Sequence, residues 1–177
     1  MTTAQAVKIP GRGLTPRDLE CDPDDHPDEL RAWRGLLRVH ASLARVLDAE
    51  LEHRHGLPMT SYEVLHYLDE SELGRMRMCD LAEQAQMSRS GLTRLVDRLE
   101  RDGLLERCSC EHDARGAYAC LTDAGRSKLG AARRTHRAVV RQHFLSRLSN
   151  QELRMLAELW DKVDPCCGSC LNGSRAR

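Results

Sequence analysis

Residues 87–107 read MSRSGLTRLVDRLERDGLLER. Leu92, Leu95, Val96 and Leu99 recur at the spacing that puts them on one face of a helix. Arg89, Arg94, Arg98 and Arg101 fall elsewhere on that helix. Ser88 is a good N-cap, and Gly103 suits the position just past the end. Such a helix is held by its apolar face and offers the other. What meets the arginines decides what the protein does.

On the N-terminal side, Asp80–Gln86 reads as a short helix with Leu81, Ala82 and Ala85 facing inward, and Met87-Ser88 as a tight turn. Helix, turn and helix together form a helix-turn-helix, whose second member enters the major groove with its N-terminal residues nearest the base edges. Ser88, Arg89, Ser90, Thr93, Arg94 and Arg98 are the DNA-binding candidates on this helix. Small Ser and Thr allow close approach, and an arginine can hold guanine through two hydrogen bonds, worth ~1–3 kcal/mol of discrimination. The alternative is a solvated amphipathic helix, charged for solubility. Charge alone does not decide, since eight arginines between Arg75 and Arg115 are matched by eight acids.

The following segment favours the DNA reading. LLERCSC, EHDARG and AYACLT form two short strands around a polar tip, a β-hairpin wing. Arg115 at the tip is placed to enter an adjacent minor groove, which attracts arginine where it is narrow. Asp113 fits as the acid that orients Arg115.

Further out, Leu30, Trp33, Leu37, Leu43, Leu47 and Leu51 mark one long helix from Asp28 to about Gly56-Leu57-Pro58. Thr60 or Ser61 caps a second helix that Gly74 breaks, and Arg75–Met78 suits a minor strand. Thr122 caps a helix running to Leu148, and a turn at Ser149-Asn150 opens a last helix closed by Pro165. The expected organisation is a flexible arm (1–27), a dimerisation helix (28–58), a winged helix-turn-helix lobe (59–122), C-terminal dimerisation helices (123–164) and a cysteine-containing tail (165–177). The fold class is mainly α with a small β-hairpin wing. The outer helices carry more apolar positions than a lone domain needs, so a two-fold homodimer is expected. It would set two recognition helices about one DNA turn, ~34 Å, apart. His136 and His143 read as interface histidines.

Composition narrows the class. The 177 residues are 41% hydrophobic and 31% charged with zero formal net charge, which excludes a simple polycation. Arginine greatly outnumbers lysine, which suits phosphate and guanine but also follows from genomic base composition. No apolar run reaches membrane length and no signal-peptide stretch is present, so no membrane partner and a cytoplasmic location are expected. No Gly-rich phosphate loop, H-E-x-x-H or G-x-S-x-G points to an enzyme. A protein-binding winged helix is the other rival.

Residues 78–125, MCDLAEQAQMSRSGLTRLVDRLERDGLLERCSCEHDARGAYACLTDAG, resemble the MarR family of bacterial transcription regulators. The resemblance rests on DLA (80–82), S-x-S (88–90), TRLVDRLERDGLLER (93–107), D-x-R (113–115) and LTDAG (121–125). It implies an obligate homodimer, each subunit carrying a winged helix-turn-helix that binds a double-stranded operator, usually as a repressor. It implies release by a small-molecule effector or by oxidation, with Arg115 as the wing arginine and Asp113 as its support. A branch responding to urate-like molecules suggests Trp33 and Glu63 for a ligand pocket, to which His66 is added as a candidate, although that branch's recognition-helix arginine is Leu95 here.

The eight cysteines include Cys108, Cys110 and Cys120 in the wing and Cys166, Cys167 and Cys170 in the tail. Disulfides are not expected in a reducing compartment. The spacings are off-pattern for zinc, and no metal or other cofactor is assigned. Zinc or redox response stays an alternative within the same fold, with inert thiols the plainest reading and Cys79 the clearest case.

Overall fold

The computed structural model describes residues 27–71, 73–110 and 113–163. The side chains of residues 109, 110 and 113–116 lie outside that description, as do the expected arm and tail. The elements are α1 (Pro27–His55), α2 (Met59–Glu70), β1 (Arg75–Arg77), α3 (Met78–Gln84), α4 (Arg89–Arg101), β2 (Leu105–Cys110), β3 (Asp113–Leu121), α5 (Asp123–His143), a 3-10 turn (Leu145–Arg147) and α6 (Asn150–Val163). This is the mainly helical fold with a small sheet that the sequence indicates. No helix among the described residues is long and apolar enough to cross a membrane.

Residues 42–141 form one compact unit. Its core joins Leu51, Leu57, Val64, Leu65, Leu68, Leu81, Leu92, Val96, Leu99, Leu105, Leu121 and Leu129. The three strands are antiparallel in the order β1-β3-β2. Leu105 lies opposite Leu121, Arg107 opposite Ala119, and Cys108 opposite Tyr118. Met76 and Arg77 of β1 lie opposite Ala119 and Tyr118. Opposed residues share a sheet face and alternate along each strand. Ala119, Leu105 and Leu121 therefore face the core, while Tyr118, Cys108, Cys120, Arg75 and Arg77 occupy the other face.

The remaining unit comprises residues 1–41 and 142–177. Here α6 has no buried residue, and the buried residues of α1, Leu47 and Leu51, belong to the 42–141 unit. Leu30, Trp33, Leu36, Leu37 and Val39 of α1 are exposed, as are Met155, Leu159, Trp160 and Val163 of α6.

Three local expectations are corrected. Neither Thr60 nor Ser61 caps α2, which starts at Met59; Met59 N–H donates instead to the Asp48 carboxylate (2.8 Å). Ser61 is buried within the helix. The helix from Thr122 stops at His143, and a 3-10 turn replaces its last residues. Thr122 does cap that helix, accepting from Gly125 N–H at 3.0 Å while its hydroxyl donates to the Gly103 carbonyl at 2.8 Å. At α6, Ser149 and Glu152 form a reciprocal capping box: Ser149 N–H donates to Glu152 (2.7 Å) and Glu152 N–H to Ser149 Oγ (3.3 Å). The Ser149 N–H bond, then a bond from the Ser149 hydroxyl (2.8 Å), hold the Glu152 carboxyl below its usual value.

Candidate nucleic-acid interface

The recognition helix α4 is fixed at both ends by its own sequence. Ser88 Oγ accepts from Gly91 N–H at 3.1 Å, satisfying one of the donors a helix start leaves open. At the other end Gly103 N–H donates to Glu100 and Leu104 N–H to Leu99, both at 2.9 Å, with Gly103 at φ +70°. That is a Schellman stop, in which glycine takes the left-handed conformation without steric cost. The preceding α3 ends the same way: Gln86 N–H donates to Glu83 and Met87 N–H to Ala82. Gln86 there takes φ +52°, the turn that swings the chain into α4.

Leu92, Leu95, Val96 and Leu99 are buried, each contributing about 1.5–3 kcal/mol of transfer free energy. Ser88, Arg89, Ser90, Thr93 and Arg94 are exposed together at the N-terminal end. Thr93 Oγ1 donates to the Arg89 carbonyl (2.8 Å), and Arg94 Nε donates to the Ser90 carbonyl (3.3 Å). The second bond engages Arg94 at Nε and leads its guanidinium back along the exposed face.

Arg98 stands apart from this group. Its Nη2 donates to the Ser61 hydroxyl at 2.8 Å, and Ser61 is 1% exposed. Helical spacing placed Arg98 with the base-reading arginines, but its guanidinium anchors α4 to α2. The signal for this in the sequence was Ser61, a serine within an apolar helical pattern.

Sequence reading also missed Arg107. Its guanidinium pairs with Asp97 and with Glu100 on α4, and its backbone N–H donates to Glu100 Oε1 at 3.1 Å. The hydrogen bond to Asp97 raises the Arg107 pKa most; burial opposes it, and the charges of Asp97 and Glu100 add to the rise. Strand β2 of the wing is thereby tied to the recognition helix. Asp113 and Arg115 lie at the start of β3, with Asp113 opposite Cys110; their side chains are outside the described set.

The suggested ligand residues fall in different units. Glu63 and His66 lie on α2, half-buried, whereas Trp33 belongs to the other unit and is 57% exposed. Burial raises the Glu63 carboxyl pKa. Arg133 Nη2 donates to His66 Nδ1 (3.0 Å), so the neutral ring carries its proton on Nε2, 3.5 Å from Glu70. Burial lowers the His66 pKa and Arg133 adds to the effect, while Glu70 and Asp69 oppose it. Asp69 accepts from Arg126 Nη1 (2.6 Å) and Arg133 Nη1 (2.7 Å), joining α2 to α5. His136 stacks on Tyr62 with ring centroids 5.0 Å apart, so it packs inside the lobe, and burial lowers its pKa. His143 is exposed. No group of three or more metal-binding side chains occurs among the described residues.

The expectation of unpaired wing cysteines is overturned. Cys108 and Cys120 form a disulfide across β2 and β3, with Cα atoms 6.3 Å apart. Two of the three wing cysteines that the zinc alternative would draw on are thus bonded to each other. Cys79 is free and exposed, its Sγ 3.2 Å from Asp80.

Comparison with known proteins agrees with this geometry. A family model described as MarR family matches residues 55–116. The crystal structure of AbsC, a MarR family transcriptional regulator from Streptomyces coelicolor, aligns at 36% identity and TM-score 0.70, covering 84% of this chain and 97% of that one. The chain belongs to the MarR family. A second MarR family regulator from the same organism, Sco3205, was solved in complex with DNA and aligns at 33% identity and TM-score 0.70, covering 85% of this chain and 92% of its own. The HTH-type transcriptional regulator MhqR of Bacillus subtilis is 29% identical over 76% of this chain and 90% of its own. The chain is thus a DNA-binding transcriptional regulator of the MarR family, a family of regulators and not of enzymes.

Proposed function

We propose that this protein is a homodimeric repressor that binds a near-palindromic operator. Helix α4 enters the major groove, with Arg89 and Arg94 reading bases and Ser88, Ser90 and Thr93 allowing close approach. Arg115 of the wing enters the adjacent minor groove, oriented by Asp113. The observation that carries this reading is the exposed N-terminal end of α4, in a lobe whose wing is ion-paired to that helix. Its relative Sco3205, solved in complex with DNA, supports DNA as the partner.

The dimer is supported by the apolar side chains that α1 and α6 leave exposed, Trp33 at 57% and Met155 at 54% among them. Surfaces of that kind mark sites of association. A second copy would cover them and set the two α4 helices one DNA turn apart. A small-molecule effector acting near Glu63 and His66 would release the DNA by altering how α2 supports α4.

The test is fluorescence anisotropy of the purified protein against duplexes tiled across the DNA flanking its own gene, at two salt concentrations, with the mass in solution measured alongside. The expected result is a dimer that binds one near-palindromic duplex tightly and loses affinity steeply with salt. A monomer, or equal binding to every duplex, would overturn the proposal.

A further inference from the structure

The wing carries a cysteine pair that operator binding does not need as such. Cys108 lies directly opposite Tyr118, while its bonded partner Cys120 is two residues further along β3. The two cysteines are therefore diagonal neighbours on one sheet face, the face turned away from the core. Diagonal neighbours usually stand ~7–8 Å apart. Here the Cα atoms are 6.3 Å apart, inside the range a disulfide spans. Both residues are half-buried, so small reagents can reach them.

The surroundings carry charges of both signs, with Glu106 of β2 opposite Cys120. Arg75 of β1 lies opposite Cys120, and Arg77 lies opposite Tyr118 on the same face. Arg77 Nε donates to the Tyr118 hydroxyl at 2.8 Å, which keeps a second guanidinium on this face. The thiolate is the reactive form of either cysteine.

The location has mechanical consequences. The bond spans twelve residues of sequence and closes the hairpin that carries Arg115. The β2–β3 register shifts between Cys108 and Cys110, so the bond sits where the regular ladder ends. Arg107, the residue before Cys108, holds the ion pairs to Asp97 and Glu100 of α4. Fixing β2 against β3 at this point therefore fixes the wing relative to the recognition helix.

We propose that Cys108 and Cys120 are a reversible thiol–disulfide site that stiffens the wing and strengthens operator binding when oxidised. The oxidant is a hydroperoxide. The Cys120 thiolate attacks the terminal oxygen, the O–O bond breaks, and the products are a Cys120 sulfenic acid and an alcohol. The Cys108 thiol then attacks the Cys120 sulfur; the S–S bond forms and water leaves. The net change is two thiols and one hydroperoxide giving one disulfide, one alcohol and one water. A dithiol reverses it by exchange. The regulatory half of this proposal rests on the DNA-binding role of α4 and the wing. Oxidation acts in the tightening direction because the bonded state keeps the winged fold with Arg107 tied to α4, so less ordering is left for the DNA to impose.

The test uses the full chain, reduced or treated with cumene hydroperoxide, then alkylated, digested and mapped by mass spectrometry. Operator affinity of both forms is read in parallel. The expected map shows a peptide linking Cys108 to Cys120, lost on adding dithiothreitol. The expected affinity is roughly fivefold tighter for the oxidised form. The double variant Cys108→Ser/Cys120→Ser should bind like the reduced protein and ignore peroxide. A link to Cys110 in place of either residue, equal or weaker binding after oxidation, or a double variant that still responds would overturn the proposal. Failure of both forms to bind any duplex would sink the DNA reading and the regulatory half with it, and the peptide map would still decide the thiol pair.

Discussion

Replacing Arg107 by alanine should loosen the wing from the recognition helix. In the folded protein its guanidinium joins Asp97 and Glu100, with side chains 37%, 47% and 36% exposed respectively. Each pair is thus partly solvated, and water replaces much of what the substitution removes. An exposed pair contributes ~0.2–1 kcal/mol, so the two together amount to about 0.4–2 kcal/mol. Glu100 keeps its bond from the residue-107 backbone N–H, which holds the loss toward the low end. For a chain of this size that corresponds to roughly 2–6 °C in Tm. The assay is a double-mutant cycle of Arg107→Ala with Glu100→Gln by thermal unfolding, and operator affinity for each variant. We expect a coupling of at least ~0.5 kcal/mol and a larger fall in affinity than in stability, because the wing loses its hold on α4. Additive stabilities and unchanged affinity would refute the idea that this cluster positions the wing.

Other outcomes follow from the same packing. Arg98→Ala and Ser61→Ala should each lower stability by ~1–2 kcal/mol while leaving base preference unchanged, read by thermal melts and a panel of altered duplexes; a changed preference would return Arg98 to the base-reading group. Gly125→Ala should destabilise by about 3 kcal/mol or more, because a Cβ there would lie 1.9 Å from the Leu104 carbonyl oxygen and 2.8 Å from Leu121 Cδ1. A melt unchanged from the parent would contradict that packing. Burial lowers the pKa of His55, His66 and His136. The unfolded chain takes up their protons at about pH 6.5, before the folded protein does. Stability should therefore be full above that pH, fall as the pH drops below it, and level off once the folded histidines have protonated. Glu63, raised by burial, works in the opposite direction nearer the carboxylate range. Melts from pH 7.5 to 5.5 that show no decline would contradict the buried-neutral histidines.

The recognition helix was legible in the sequence because its signals are local. Four apolar residues at helical spacing, Ser88 and Gly103 fix its face and ends without reference to the rest of the chain. The three-stranded sheet was mostly legible for the same reason. What escaped depends on pairings between distant residues. Ser61 and Arg98 are 37 residues apart; a serine within an apolar pattern marks a buried hydroxyl but does not name its partner. The α2 cap comes from Asp48 on the preceding helix, while Thr60 and Ser61 look like better caps to a pattern reader. Arg107 sits in a strand among charged residues, and its two acids lie on a helix whose charged face was read as meeting DNA or, in the alternative, solvent. The Cys108–Cys120 bond depends on strand register, which is set by the bulge near Cys110 and not by the spacing of cysteines.

The most direct test of the central claim is a base-by-base substitution scan of the bound duplex, measured for the parent protein and for Arg89→Ala, Arg94→Ala and Arg115→Ala. The account expects the two α4 variants to lose discrimination at major-groove positions one helical turn apart, by ~1–3 kcal/mol per contact. Arg115→Ala should weaken binding by a similar amount, with its effect confined to the flanking minor-groove steps. Three variants that bind and discriminate like the parent would contradict the assignment of α4 and the wing to DNA.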